Sequence, residues 1–372
     1  MRIKKWVCVI TALVLLCALC LPAFAAEPAD SFGAYEHVFI IGVDGGGAAF
    51  SLTDTPNFDS IFGRFAYTHS AATEYETISA QNWGSILTGV DYTVHGFTNS
   101  SIGAAERDSQ TGANTLFYYA RQAFPNAVLT SFVDWQPINY GLIENDLDVQ
   151  KYSYPNDDPG LTEAMEAYFA EGNAPLLTFV QLDNPDHAAH SCGGFSEQYY
   201  AAVRDADAQI GRIYNAISAA GLMEKGLFIV VADHGETAGG HGGHTPEESS
   251  AVLAAVGRTV NETQLENVRN RDVAAIALYA LGIAPPEDMT AALPAALFGE
   301  ARSPEDIPGE VPETEPSTEP TTEPATEPAS EPGEEPTTAP HTNGSSSGES
   351  LLQRIVQWFR KLFDKIAGWF RR

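Results

Sequence analysis

Four short, largely apolar runs constrain the fold more than any other feature of this chain. They are His37 to Val43 (HVFIIGV), Ala127 to Val133, Leu176 to Leu182 (LLTFVQL) and Leu227 to Ala232 (LFIVVA). Continuous apolar runs of this length, without polar alternation, predict strands buried on both faces. Helical patterns lie around them, over Pro56 to Phe62, Ala80 to Leu87, Leu161 to Ala170, Glu197 to Ala219 and Arg271 to Leu281. Ser196 is placed to cap the fourth of these. Buried strands alternating with helices predict an α/β fold with a mainly parallel central sheet and helices on both faces.

The flanks read differently. Arg2, Lys4 and Lys5 precede an apolar run from Trp6 to Leu21, then Pro22 and Ala23-Phe24-Ala25. That layout predicts a cleaved secretory signal over residues 1–26, and hence a secreted or surface-associated protein. A retained membrane anchor is the competing reading, but the run is short for a span. Leu19 before Cys20 argues against a lipoprotein signal. Three of the four cysteines, Cys8, Cys17 and Cys20, fall in this segment. Only Cys192 remains, so no internal disulfide is expected. A body over residues 30–300 is long enough for one large domain. Residues 301–350 become Pro-, Glu- and Thr-rich, with Thr-Glu-Pro repeated at Thr314, Thr318, Thr322 and Thr326, and then Gly- and Ser-rich. This composition predicts a disordered linker. In residues 351–372, Leu352, Ile355, Val356, Phe359, Leu362, Phe363, Ile366 and Phe370 recur at helical spacing among arginines and lysines. The expectation is an amphipathic basic helix for an anionic membrane or cell-wall surface; docking on a partner or on the acidic body is the alternative. The formal net charge is −29, which excludes a nucleic-acid-binding surface and requires an anionic substrate to be attracted locally.

Acidic residues stand at the ends of the predicted strands: Asp44 after the first, Asp186 after LLTFVQL and Asp233 after LFIVVA. In an open parallel sheet that edge is where ligands bind. A single such aspartate is as readily a loop cap, but three at one edge are not. His190 follows Asp186 by four residues, His234 follows Asp233, and His241 and His244 come a short loop later. Five of the nine histidines lie between His187 and His244. Imidazole and carboxylate together suit zinc or a similar divalent ion. Ser79 opens a helical run, where free N–H groups and the dipole favour an alkoxide and bound phosphate. Taken alone, Ser79 is more simply an N-cap.

With these pieces in order, the chain resembles the alkaline phosphatase superfamily, which includes nucleotide pyrophosphatase/phosphodiesterases, phosphonoacetate hydrolases and sulfatases. The resemblance runs from about Val38 to Gly282, through VDG at Val43, TPNFD at Thr55, SILTG at Ser85, HG at His95, D-x-x-x-H at Asp186, ADHG at Ala232, HGGHTPEE at His241 and DVAAIALYALGI at Asp272. It implies Ser79 as nucleophile, nine residues before Thr88, with Thr77 out of register. It implies two divalent ions, zinc or alternatively manganese. Asp44, Ser79, Asp233 and His234 would surround one, and Asp186, His190 and His241 the other, with His244 competing for the place of His241. It gives Asn82 a contact with a phosphoryl oxygen. Ser79 and Gln81 depart from the threonine and proline of many relatives. The absence of a C/S-x-P-x-R motif argues against sulfatase activity.

The resemblance implies hydrolysis of a small phosphorylated substrate through a phosphoseryl intermediate. Three questions stay open on the sequence: monoesterase or phosphodiesterase/nucleotide pyrophosphatase, catalyst or non-catalytic surface-displayed binding protein, and zinc or manganese. Residues 99–173 are expected to form most of a lid, in which Trp135, Tyr140, Tyr152 and Tyr154 either stack on substrate or pack ordinarily.

Overall fold

The computed structural model describes residues 31–109 and 113–312. The expected signal, the linker beyond residue 312 and the basic terminal helix lie outside the described residues.

One eight-stranded sheet carries the body, in the order β4-β3-β5-β1-β6-β7-β2-β8. Its centre is β1 (His37–Val43), paired in parallel with β5 (Leu177–Leu182) and β6 (Gly226–Ala232). All three are buried at almost every position, as continuous apolar runs require. Beyond β5 lie β3 (Leu129–Val133) and β4 (Gln150–Ser153), also parallel. On the other side β7 (Ser250–Val256) runs antiparallel to both β6 and β2 (Ala66–Ala72), and the two-residue β8 (Thr263–Gln264) closes the edge.

Helices cover both faces. Phe39 packs edge-on against Phe169 at 5.8 Å, from the helix α6 (Asp158–Ala170). Three residues along β1, Gly42 faces Trp83 of α2 (Ser79–Thr88). Odd spacing on a strand puts the two contacts on opposite faces. A Cβ at Gly42 would come within 2.4 Å of the Trp83 ring, so the approach of α2 requires glycine there. The expected helices at Pro56–Phe62 (α1) and Glu197–Ala219 (α8) are present with those limits, and Ser196 caps α8 by accepting from Tyr199 N–H at 3.1 Å. Asp272–Ala280 (α9) packs beside α2.

Residues 99–173 do not form a lid as a block. They supply β3, β4 and α6, and the residues between them pack on the body. Tyr152 stacks on Phe132 at 4.5 Å and meets Tyr168 edge-on, which is core packing. The packed body continues past residue 300. Val311 is buried, Tyr214 Oη donates to Pro308 O at 2.6 Å, and Asn215 exchanges two hydrogen bonds with Val311.

Candidate metal centre and nucleophile

Parallel register creates the site. Val43 pairs with Leu182 and with Ala232. The next residues, Asp44, Asp183 and Asp233, therefore leave the sheet side by side. After Asp183 the chain turns directly into α7 (Asn184–Cys192), which carries Asp186 in its first turn and His190 one turn later. Helical spacing of four puts both on one face. Gly45, at φ +63°, bends the chain beneath α7. A Cβ there would stand 3.0 Å from the Cα of Asp186, so Asp44 and Asp186 are brought together by close backbone approach.

Two groups of donors result. Asp44, Asp233 and His234 each offer one atom within 4.8 Å of the others, as do Asp186, His234, Glu236 and His241. His234 Nε2 lies 3.5 Å from Asp44 Oδ1, 3.2 Å from Asp233 Oδ2 and 3.3 Å from Ser79 Oγ. His234 Nδ1 faces Gly235 O at 3.2 Å. A proton on Nδ1 serves that carbonyl and leaves the Nε2 lone pair for the cluster. Beside the second group stands His190: its Nε2 lies 3.1 Å from His241 Nε2, and each of the two lies 3.4 Å from a carboxylate oxygen of Asp186. The His234 and His241 rings stack at 4.0 Å, which joins the groups.

The supporting atoms leave one oxygen of each aspartate free. Asp44 Oδ2 accepts from Trp83 Nε1 at 2.8 Å and Gln181 Nε2 at 3.1 Å, while Oδ1 has no partner. Asp233 Oδ1 accepts from Gly45 N–H and His234 N–H, while Oδ2 has none. Asp186 Oδ1 and both Glu236 oxygens are likewise buried without an N–H or hydroxyl donor, and the Asp186 and Glu236 carboxyls meet each other. Such orphans are costly unless something else satisfies them. Among the described residues no lysine or arginine forms an ion pair with these four acids. Burial, reinforced by the neighbouring carboxylates, pushes the Asp44 and Asp233 carboxyls well above the ordinary range and raises Asp186. Burial pushes His234 well below its ordinary value, and His241 adds to it. Imidazole nitrogens facing carboxylate oxygens that lack a donor are what divalent ions require, so the residues fit them.

Ser79 is not an N-cap. Ile78 holds that position, and Ser79 is the first residue of α2, with its hydroxyl beside His234. Thr77 is committed elsewhere: its hydroxyl donates to Gly243 O at 3.1 Å and accepts from Gly242 N–H at 2.8 Å. His244 lies outside both donor groups, stacked on Tyr75 at 4.2 Å, so His241 is the histidine brought into the cluster.

A model of the type I phosphodiesterase / nucleotide pyrophosphatase family matches residues 38–241. The chain belongs to this family. Members of this family, within the alkaline phosphatase superfamily, are metal-dependent hydrolases that act on small phosphorylated substrates. Among curated relatives, GPI ethanolamine phosphate transferase 1 of Saccharomyces cerevisiae is 26% identical over 285 residues. That alignment takes in 66% of this chain but 26% of the relative, so the chain spans about a quarter of its length. The fold is similar to murine ectonucleotide pyrophosphatase / phosphodiesterase 5, with a TM-score of 0.57 and 13% identity, over 70% of this chain and 100% of the other. It is also similar to the lipoteichoic acid synthase LtaP of Listeria monocytogenes, with a TM-score of 0.54 and 12% identity, over 73% and 79%.

Against the family expectation, every expected metal-binding residue falls in or beside one of the two groups. Asn82 is placed differently from a phosphoryl-contacting group. It is fully buried, donates to Glu76 O and Ile78 O at 3.2 Å each, and accepts from Glu74 N–H and Asn270 Nδ2. Its amide holds the loop 74–78 in front of Ser79. Two residues at the site were not legible as such. Asn99, the first residue of α4 (Asn99–Ala104), accepts from Ala80 N–H at 3.0 Å, beside Ser79. Its place after His95-Gly96 was the only signal. Glu236 follows ADHG and reads as a loop acid until its burial is known.

Proposed function

We propose that this protein hydrolyses phosphoric diesters outside the cell, with Ser79 as nucleophile and a phosphoseryl intermediate. The observation that carries this is the Ser79 hydroxyl at the start of α2, free of capping and 3.3 Å from His234 Nε2, beside unpartnered oxygens of Asp44 and Asp233. Family membership favours the diester over the monoester. The inactive form of murine ectonucleotide pyrophosphatase / phosphodiesterase 5 was solved in complex with AMP, which suits a nucleotide-derived ester here.

Asp44, Asp233, His234 and Ser79 would hold one divalent ion, and Asp186, His190 and His241 the other, with zinc or manganese as the ion. Bound there, two such ions supply the charge that lowers the pKa of the serine hydroxyl and stabilises the leaving oxygen. The residues do the rest. The Ser79 hydroxyl loses its proton and attacks phosphorus; the Oγ–P bond forms as the ester P–O bond breaks and the leaving alcohol takes up a proton. The start of α2 directs its dipole at the added charge. Asn99 presents its amide there. Asn82 keeps the loop 74–78 in place. Water then cleaves the Oγ–P bond and restores the serine.

Ser79→Ala is expected to lower turnover of bis-para-nitrophenyl phosphate at least ~1,000-fold, with the thermal midpoint almost unchanged. Near-normal turnover by that variant sinks the assignment. A wild-type preference for para-nitrophenyl phosphate over the diester would move the reading to a monoesterase. Residues 1–26 would direct export, residues 313–350 would act as a spacer, and residues 351–372 would contact an anionic membrane or wall. Loss of vesicle binding on deleting the last segment tests that role.

A further inference from the structure

Glu236 stands apart from the family's expected ligands, yet nothing around it explains a buried acid. Its residue is 2% exposed, and the polar group its carboxyl meets is another carboxyl, that of Asp186, with no N–H, hydroxyl or cationic donor on either oxygen. The loop at Gly193–Gly194 closes over it: Gly194 N–H donates to Thr237 O at 3.0 Å, and a Cβ on Gly194 would stand 2.7 Å from Glu236 Cβ. The acids that bear on it are Asp186, Asp233 and Glu248, so its surroundings add negative charge rather than cancel it. The imidazole of His234 is nearby, with Nδ1 at 3.8 Å from Oε1, and that nitrogen faces Gly235 O at 3.2 Å instead.

What does converge on Glu236 is a set of metal donors. It offers an oxygen within 4.8 Å of atoms from Asp186, His241 and His234. A structural acid would be met by an N–H, an O–H or a cationic side chain. We infer that Glu236 is a fourth protein ligand of the ion held by Asp186, His190 and His241. This rests on the two-ion reading above and deepens it. The position then has two imidazoles and two carboxylates, a harder set that accommodates manganese as well as zinc. The extra negative charge holds the ion more tightly in a position where His190 is itself largely exposed.

The test is calorimetric titration of the full, chelator-stripped protein with manganese chloride and with zinc chloride, for wild type and Glu236→Gln. Wild type is expected to take up two ions. The variant is expected to keep one and to bind the other ~10–100-fold more weakly. Its metal-free form should unfold at no lower temperature than metal-free wild type, because the amide removes a buried charge. Glu236→Asp, with a shorter arm, should show the same selective weakening and serves if the glutamine variant does not fold. Two ions bound at wild-type affinities by either folded variant overturns the inference and leaves the two-ion site standing. Wild-type protein that takes up no ion overturns both.

Discussion

At the residue scale, the site sets a few polar atoms against burial, and His95 shows the same economy outside it. His95 Nδ1 accepts from Phe97 N–H at 3.0 Å, and Nε2 faces Gln81 O at 3.1 Å and Ser85 Oγ at 3.0 Å. The neutral ring satisfies all three. Burial pushes its pKa down to about 4, against the small upward pull of Gln81 O. The unfolded chain, with an ordinary histidine near ~6.5, binds the proton first as pH falls. Stability is therefore complete above about pH 6.5 and is lost as pH drops through about 4, by at most ~3 kcal/mol. Urea unfolding at pH 7, 5.5 and 4.5 should show this slope in wild type and a flatter one in His95→Gln. The acids of the site act in the opposite direction: their carboxyls are raised in the fold, so they favour the metal-free protein at lower pH. Comparing the two proteins cancels that contribution.

At the element scale, the turn after β1 determines whether the two donor groups meet. Gly45 sits at φ +63° with Asp186 Cα against it, and its N–H donates to Asp233 Oδ1 at 3.1 Å. One turn thus holds together three segments that carry the donor groups. Gly45→Ala must accept both the left-handed backbone and the close contact. We expect a loss of ~1–2 kcal/mol in urea unfolding and weaker binding of the ions. An alanine variant with wild-type stability and affinity would show that α7 can shift without separating the groups. The helices with strong local signals, α1 and α8, needed no such help. β7 (SAVLAAV) did: its alanine-rich composition has no strand signature, and pairing with β6 and β2 makes it a strand.

At the scale of the whole molecule, an acidic chain concentrates the acids of its candidate site at one edge of one sheet and anchors residues 308–311 on α8. A chain ending at residue 312 should unfold at the same temperature as a chain ending at 325. One ending at residue 300 should unfold several degrees lower, since it loses Val311 and the bonds to Tyr214 and Asn215. Equal midpoints for all three would mean that 301–311 adds nothing. No helix among the described residues is long and apolar enough to cross a membrane. By itself the sequence determined the α/β class, the core strands β1, β5 and β6, and the acids that end or follow them. Those follow from local properties: apolar runs, helical spacing and motif order. Only the tertiary structure decided that Ser79 is no cap, that His241 rather than His244 enters the cluster, and that Asn82 supports a loop. It alone revealed Glu236, because burial and the absence of a donor are properties of the surroundings, which distant parts of the chain supply.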